Sequence, residues 1–131
     1  MDEAMERLLD YDGRRYWLQN GWSVRFRVRT VTPSEERPHG LKYSFTLHDV
    51  DGERLLGFDN AHGTGDQDEH DHSHRFRHTD KTRPYEFVGT DQLLVDFFDA
   101  VERACGQEGV PFVIVDEDLE LEDGDEAADT N

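Results

Sequence analysis

Five of the seven histidines in this 131-residue chain lie within one short segment, residues 59–78. The segment reads DNAHGTGDQDEHDHSHRFRH and also contains several carboxylates and two arginines. Histidine exchanges protons near neutral pH, and it is also the commonest protein ligand of transition metals. The residue types therefore predict an acid/base centre, a metal site, or a solvated loop without chemistry.

The acid/base hypothesis needs two imidazoles and a cation. One imidazole would take the proton of an RNA 2′-hydroxyl, and a protonated imidazole would meet the leaving oxygen. A guanidinium would stabilise the negative charge that develops on the phosphorus oxygens. The residues that could supply these groups are His62, His74 and His78, with Arg75 or Arg77.

The metal hypothesis needs three neutral imidazoles, or two with a carboxylate, at about 2.0 to 2.2 Å from one zinc ion. In an extended HDHSHRFRH run, His70, His72 and His74 share one face, and Asp59 or His62 could assist them. The spacing matches no standard zinc signature, and histidine-rich runs also bind metals loosely. We therefore expect no cofactor, with zinc or another divalent metal at His70, His72 and His74 as the alternative.

Two predicted hairpins must position this segment. Asn20-Gly21 favours a tight turn, because both turn residues need positive φ. Apolar and basic residues then alternate from Trp22 to Arg29, which gives one core face and one arginine face. A second alternating run, Leu41 to His48, turns at Asp51-Gly52 into a fourth strand that ends near Phe58.

The C-terminal half predicts one helix and a late strand. Apolar residues recur at helical spacing from Leu94 to Ala104, Thr90 can cap the N-terminus, and Gly106 supplies a stop. The helix is expected from about Asp91 to Cys105, followed by a strand in VPFVIVD. The predicted fold is α+β, with a five- to six-stranded antiparallel sheet and one C-terminal helix packed on one face.

Charge divides the chain into two parts. The net charge is −17, and residues 116–131 hold nine acidic residues without a basic one. We predict a single domain over residues 1–115 and an acidic disordered tail over residues 116–131. The acid excess and the presence of just two lysines are typical of a halophilic protein.

The composition also excludes some classes. No apolar run approaches the roughly 20 residues that span a bilayer, and the N-terminus lacks a secretion signal, which predicts a cytoplasmic protein. The single cysteine, Cys105, excludes an internal disulfide and a zinc site built from several cysteines.

The order of motifs resembles the TumE-type toxin family of TumE/TumA toxin–antitoxin modules. The run PHGLKYSFTLHDVDGERLLGFDNAHG precedes the histidines, and YEF and LLVDFFDAVE follow them, so that the similarity covers about Leu8 to Arg103. The resemblance implies a cognate antitoxin with a helix-turn-helix domain. The best-matched positions are His39, Gly40, Lys42, Tyr43, Gly52, Asp59, Asn60, His62, the pair His72 and His74, Tyr85, Phe87 and Phe97.

The leading hypothesis is a toxin that cleaves single-stranded RNA without a metal. Asp59 and Asn60 would orient the loop, and His62 and His74 would exchange the protons. Phosphate would be held by Lys42, Arg75 and Arg77, and bases would stack on Tyr43 or Tyr85. The alternatives are a metal-dependent nuclease and a non-enzymatic protein-binding module, and a homodimer is compatible with each of them.

Overall fold

The structure of the chain is a computed structural model that describes residues 3–35, 37–60 and 71–120. The predicted α+β class is confirmed. The elements in chain order are α1 (Glu3–Leu9), β1 (Arg14–Leu18), β2 (Ser23–Thr30), β3 (Leu41–His48), β4 (Arg54–Asp59), β5 (His72–Arg75), β6 (His78–Pro84), α2 (Thr90–Glu108) and β7 (Ile114–Leu119).

All strands of the described ranges form one antiparallel sheet in the order β6-β5-β4-β3-β2-β1-β7. Within these ranges the sheet has seven strands rather than five or six, because the segment around His72 folds into a hairpin instead of one extended run. Arg77, with a φ of 62°, makes the turn of this hairpin. His78 therefore lies on β6 and not on the strand of His72 and His74.

One face of the sheet carries the core. Phe26 pairs with Phe45, and Phe45 pairs with Phe58, so these rings form a row across three strands. Phe97 of α2 contacts all three rings at centroid distances of 5.6 to 5.7 Å. The predicted C-terminal helix thus covers this apolar face.

The opposite face is polar. Residues that pair across strands point to the same side of a sheet. Two rows follow from the registers: Arg27, Ser44, Asp59 and His72, and Arg25, Thr46, Gly57 and His74. Arginines from β2 therefore share a face with histidines from β5, which the sequence alone does not reveal.

The helices differ from the prediction in number and length. The helix α1 was not expected, because its seven residues are too few for a clear apolar period, yet Leu8 is fully buried. The helix α2 continues past Gly106 to Glu108, and Gly109 ends it with a φ of 78°.

The predicted boundary of the acidic tail is wrong in its first residues. Strand β7 continues from Ile114 to Leu119, so residues 116–119 belong to the sheet. Acidic residues disfavour strands, but here Arg15 of β1 forms two hydrogen bonds to Asp118 on β7. The rest of the predicted tail, from residue 121 onward, lies outside the described residues.

Burial of His48 on the polar face gives a testable pH dependence. Its ring contacts the Gly52 carbonyl at 3.0 Å and the Thr46 hydroxyl at 2.8 Å, and desolvation lowers its pKa. The unfolded chain therefore takes up this proton at a higher pH than the folded chain does. Stability from this group is lost as pH falls below about 6.5 toward the lowered pKa.

We expect the His48→Gln variant to lose less stability on acidification than the wild-type chain. The difference is bounded by about 1.4 kcal/mol per pH unit, the value for one proton. Urea unfolding between about pH 7.5 and about pH 5.5 measures it, with exposed His78→Gln as the control. Identical pH dependence in all three proteins would contradict the assignment.

Candidate functional site

One carboxylate and two imidazoles meet on the polar face. Asp59 is the last residue of β4, and it pairs with His72 of β5. The His72 Nε2 lies 2.8 Å from Asp59 Oδ1, and the His74 Nε2 lies 2.9 Å from Asp59 Oδ2. The two imidazole rings are 5.0 Å apart. A single carboxylate thus contacts both histidines.

Local sequence explains this convergence. His72 and His74 are alternate residues of one strand and therefore point to the same side. The residue opposite His74 is Gly57, whose missing side chain leaves space between the strands. A Cβ at Gly57 would lie 3.2 Å from the Thr46 side chain, so a larger residue would crowd the face.

The cluster is largely enclosed. Asp59 keeps 9% of its side-chain surface exposed, against 16% for His72 and 12% for His74. Arg54 on β4 lies 4.0 Å from Asp59 Oδ2. The Asp59 carboxylate is therefore nearly enclosed among basic groups, while part of each imidazole stays at the surface.

The same three side chains could hold a divalent metal. Their ligand atoms all lie within 4.8 Å of one another. Ligands that share one ion at about 2.0 to 2.2 Å lie roughly 3 Å apart, close to the distances found here. Asp59 Oδ1 is buried and makes no hydrogen bond with the described residues, since the contact from His72 lacks hydrogen-bond geometry.

The predicted metal ligands are brought together in part. His72 and His74 converge as expected, and Asp59 is the third group. His70 lies outside the described residues, as does His62, the predicted partner of His74 in proton exchange. The roles of His70 and His62 stay predictions.

A second polar network braces the end of β4 on the core side. Asp71 is buried and accepts hydrogen bonds from the Tyr43 hydroxyl at 2.8 Å and from His39 Nε2 at 3.1 Å. His39 Nδ1 accepts the Leu41 amide proton, so its Nε2 carries the hydrogen that is donated to Asp71. Burial and, after it, the Asp71 charge raise the pKa of Tyr43.

Asn60 connects this brace to the site. Its side chain is fully buried, accepts the Tyr43 amide at 2.9 Å and donates to the Leu41 carbonyl at 2.8 Å. Asn60 therefore pins the end of β4 to β3, directly after Asp59, and its predicted role in orienting the loop that follows stays a prediction.

The predicted RNA contacts are only partly supported by position. Tyr43 is 1% exposed, which excludes it as a stacking surface, and the hydroxyl of Tyr85 bonds to Asp96. Arg77 bonds to Glu108 of α2, away from the cluster on β5. His78 and Arg75 are exposed beside the hairpin turn, and Lys42 lies on the polar face, opposite Arg29.

Sequence reasoning missed two features of the site. Asp71 was not singled out, because charged residues surround it in the sequence. His72 was assigned only to a possible metal site, although His72 and His74 are alternate residues and the Asp59 carboxylate binds both. The alternation of the two histidines could be read from the sequence, but the pairing of β4 with β5 could not.

Comparison with known proteins identifies the family of the chain. None of the helices in the described ranges is long and apolar enough to cross a membrane. The comparisons with curated proteins and with solved structures found no match. The family described as Toxin TumE matches residues 22–104, which include β2 to β6 and most of α2. The chain therefore belongs to the TumE family of toxins, the toxin components of toxin–antitoxin modules.

Proposed function

We propose that this toxin is an endoribonuclease that cleaves single-stranded RNA at the Asp59, His72 and His74 cluster. The observation that carries the proposal is the convergence of two imidazoles on one carboxylate. The cluster lies on a sheet face that also holds arginines and a lysine. These are the groups that RNA transesterification needs: a base, an acid and cations near the phosphate.

The reaction would follow from the contacts of the cluster. The reaction would use both imidazoles of the cluster, which lie side by side against Asp59. One neutral imidazole would accept the 2′-hydroxyl proton, and the 2′-oxygen would attack phosphorus. The other imidazole, protonated, would donate to the departing 5′-oxygen, leaving a 2′,3′-cyclic phosphate. Asp59 would fix both rings rather than exchange protons itself.

Basic residues on the same face would attract an anionic substrate. Arg27 lies two strands from Asp59, which corresponds to roughly 10 Å at the usual distance between strands. Lys42 lies on β3, the strand between them. This local basic area offsets a net charge of −17, which gives the chain no general attraction to RNA. Single-stranded RNA is favoured because its sugar and phosphate can reach a flat sheet face.

A metal-dependent nuclease is the second candidate. The unpaired, buried Asp59 Oδ1 favours it, because a metal ion would supply the missing partner of that oxygen. Two imidazoles and one carboxylate form a common open metal site, at which a bound water becomes a nucleophile.

The partner of the toxin is an antitoxin, and we propose for it the helix-turn-helix domain that the resemblance implies. The cytoplasm is the proposed place of action, since the RNA and the antitoxin are there. A homodimer stays a prediction.

RNA cleavage by the purified chain separates the two candidates. The assay would use total and defined RNA at low salt and in molar potassium chloride, with and without EDTA. The acid/base site predicts cutting that survives EDTA, leaves 2′,3′-cyclic ends and falls at least about 100-fold in His72→Ala/His74→Ala. Cutting that EDTA abolishes and zinc or manganese restores would favour the metal site instead.

Single variants define the boundary of the site. The matched control is His78→Ala, which removes an exposed histidine of the same hairpin and should leave cleavage unchanged. Loss of cleavage in His62→Ala would support the predicted role of His62 as a proton carrier. If RNA is never cut and the double variant stays toxic, the non-enzymatic protein-binding module replaces both nuclease candidates.

A further inference from the structure

Strand β7 places acidic side chains on the arginines of the polar face. Arg15 forms a bidentate pair with Asp118, with hydrogen bonds of 3.0 and 2.9 Å. Arg25 lies 3.1 Å and Arg27 3.8 Å from the two carboxylate oxygens of Glu120. Glu120 directly follows β7, and Asp118 and Glu120 are alternate residues, so both carboxylates come from the same side of the chain.

These arginines lie on the same face as the proposed site. Arg15 pairs with Arg25, and Arg25 begins the row that reaches His74 through Thr46 and Gly57. Arg25 and His74 are three strands apart, which is roughly 14 Å. A single-stranded RNA segment of a few nucleotides could therefore extend across the sheet from the arginines to the histidines.

The Arg25 guanidinium is incompletely satisfied. The Arg25 Nε is buried and has no hydrogen-bond partner in the described ranges. A guanidinium presents paired N–H groups in a fork that matches two oxygens of one phosphate. Glu120 reaches only the Nη1 side of Arg25 closely, so a phosphodiester could satisfy the group better than the carboxylate does.

The covering strand lies at the surface. All six residues of β7 are exposed, including Ile114 and Leu119 at 44% and 64%. The Asp118 side chain keeps 45% of its surface in water, against 18% for Glu120, and ion pairs as exposed as that of Asp118 are weak and screened by salt. A polyanion with several phosphates could displace these carboxylates without unfolding the core.

We propose that Arg15, Arg25 and Arg27 form a binding site for the phosphodiester backbone of single-stranded RNA, which Asp118 and Glu120 occupy as phosphate mimics. The inference rests on the proposed function and adds a substrate-binding surface. RNA would compete for this surface with acidic side chains of the chain itself. The family match includes Arg25 and Arg27 but ends at residue 104, before β7. The mimic thus comes from a part of the chain outside the matched region.

The test measures RNA binding without cleavage. The probe is a fluorescein-labelled oligouridylate with 2′-O-methyl groups, which cannot be cut through a 2′-hydroxyl. In about 100 mM potassium chloride, Asp118→Asn/Glu120→Gln should bind the probe about tenfold more tightly than the wild-type chain, since the arginines are released for phosphates. Fluorescence anisotropy gives the Kd, and thermal unfolding checks that the variant stays folded.

A charge-matched variant isolates the local effect. Asp99→Asn/Glu102→Gln removes the same net charge from exposed positions of α2, on the opposite side of the sheet, and should change the Kd less than about twofold. In an Arg15→Gln/Arg25→Gln background, neutralising Asp118 and Glu120 should give no tightening.

Two results would overturn the proposal. Equal tightening in both neutralised variants would indicate a general charge effect, and absence of tightening would show that β7 does not compete. The cleavage reaction is tested separately, because the probe is not a substrate. Tight probe binding with no cleavage of ordinary RNA would retain this binding site and reject the proposed reaction.

Discussion

Replacing Asp59 by asparagine is expected to abolish toxicity in cells that lack the antitoxin. The amide keeps the volume of the carboxylate but lacks the negative charge and one of the two oxygens that His72 and His74 contact. Both imidazoles would lose their shared anchor, and a metal ion at the site would lose its anionic ligand. We expect RNA cleavage to fall at least about 100-fold under either nuclease mechanism.

The measurement compares toxicity and cleavage rate with thermal unfolding. The matched control is Asp96→Asn, which alters a carboxylate that is bonded to Tyr85 and lies on α2, away from the polar face. Asp96→Asn should keep full activity. If Asp59→Asn lowers the unfolding temperature but leaves toxicity and cleavage intact, Asp59 is a structural brace between β4 and β5, and the proposed site is wrong.

The hairpins and the two faces of the sheet could be predicted from local sequence. Asn20-Gly21 sets a turn, and the alternation from Trp22 to Arg29 then decides which side chains face the core. The pairing of Asp59 with His72 could not be predicted in this way. Twelve residues separate the two positions, and nothing in that connection fixes a register, because it has almost no apolar residue to bury.

Charge was a poor guide to local structure in two places. Asp71 stands among acidic and histidine residues, yet it is 5% exposed, because Tyr43 and His39 satisfy its oxygens. Asp118 stands in an acidic run that predicts disorder, yet it belongs to a strand, because Arg15 neutralises it across β1 and β7. In both cases the compensating residue is remote in sequence, and only the folded sheet brings it near.

Loss of the Asn60 hydrogen bonds, next to the site, is expected to have a large effect on stability. Asn60 is fully buried, and its side chain satisfies the Tyr43 amide and the Leu41 carbonyl. Asn60→Ala would leave both backbone groups buried without a partner and would open a small cavity. We expect the free energy of unfolding to fall by about 3 kcal/mol, measured by urea denaturation.

Two further variants connect that loss to the site. Asn60→Asp keeps the shape but turns the donor toward Leu41 into an acceptor, so it should be at least as destabilising as Asn60→Ala. Asn20→Ala, which removes a bond to the Trp22 amide in a half-buried turn, should cost about 1 kcal/mol. Because Asn60 positions Asp59 without touching the substrate, Asn60→Ala should regain toxicity at low temperature, where the fold is retained. An Asn60→Ala protein with wild-type stability would contradict the brace, and one that is folded but inactive at every temperature would give Asn60 a direct role in the chemistry.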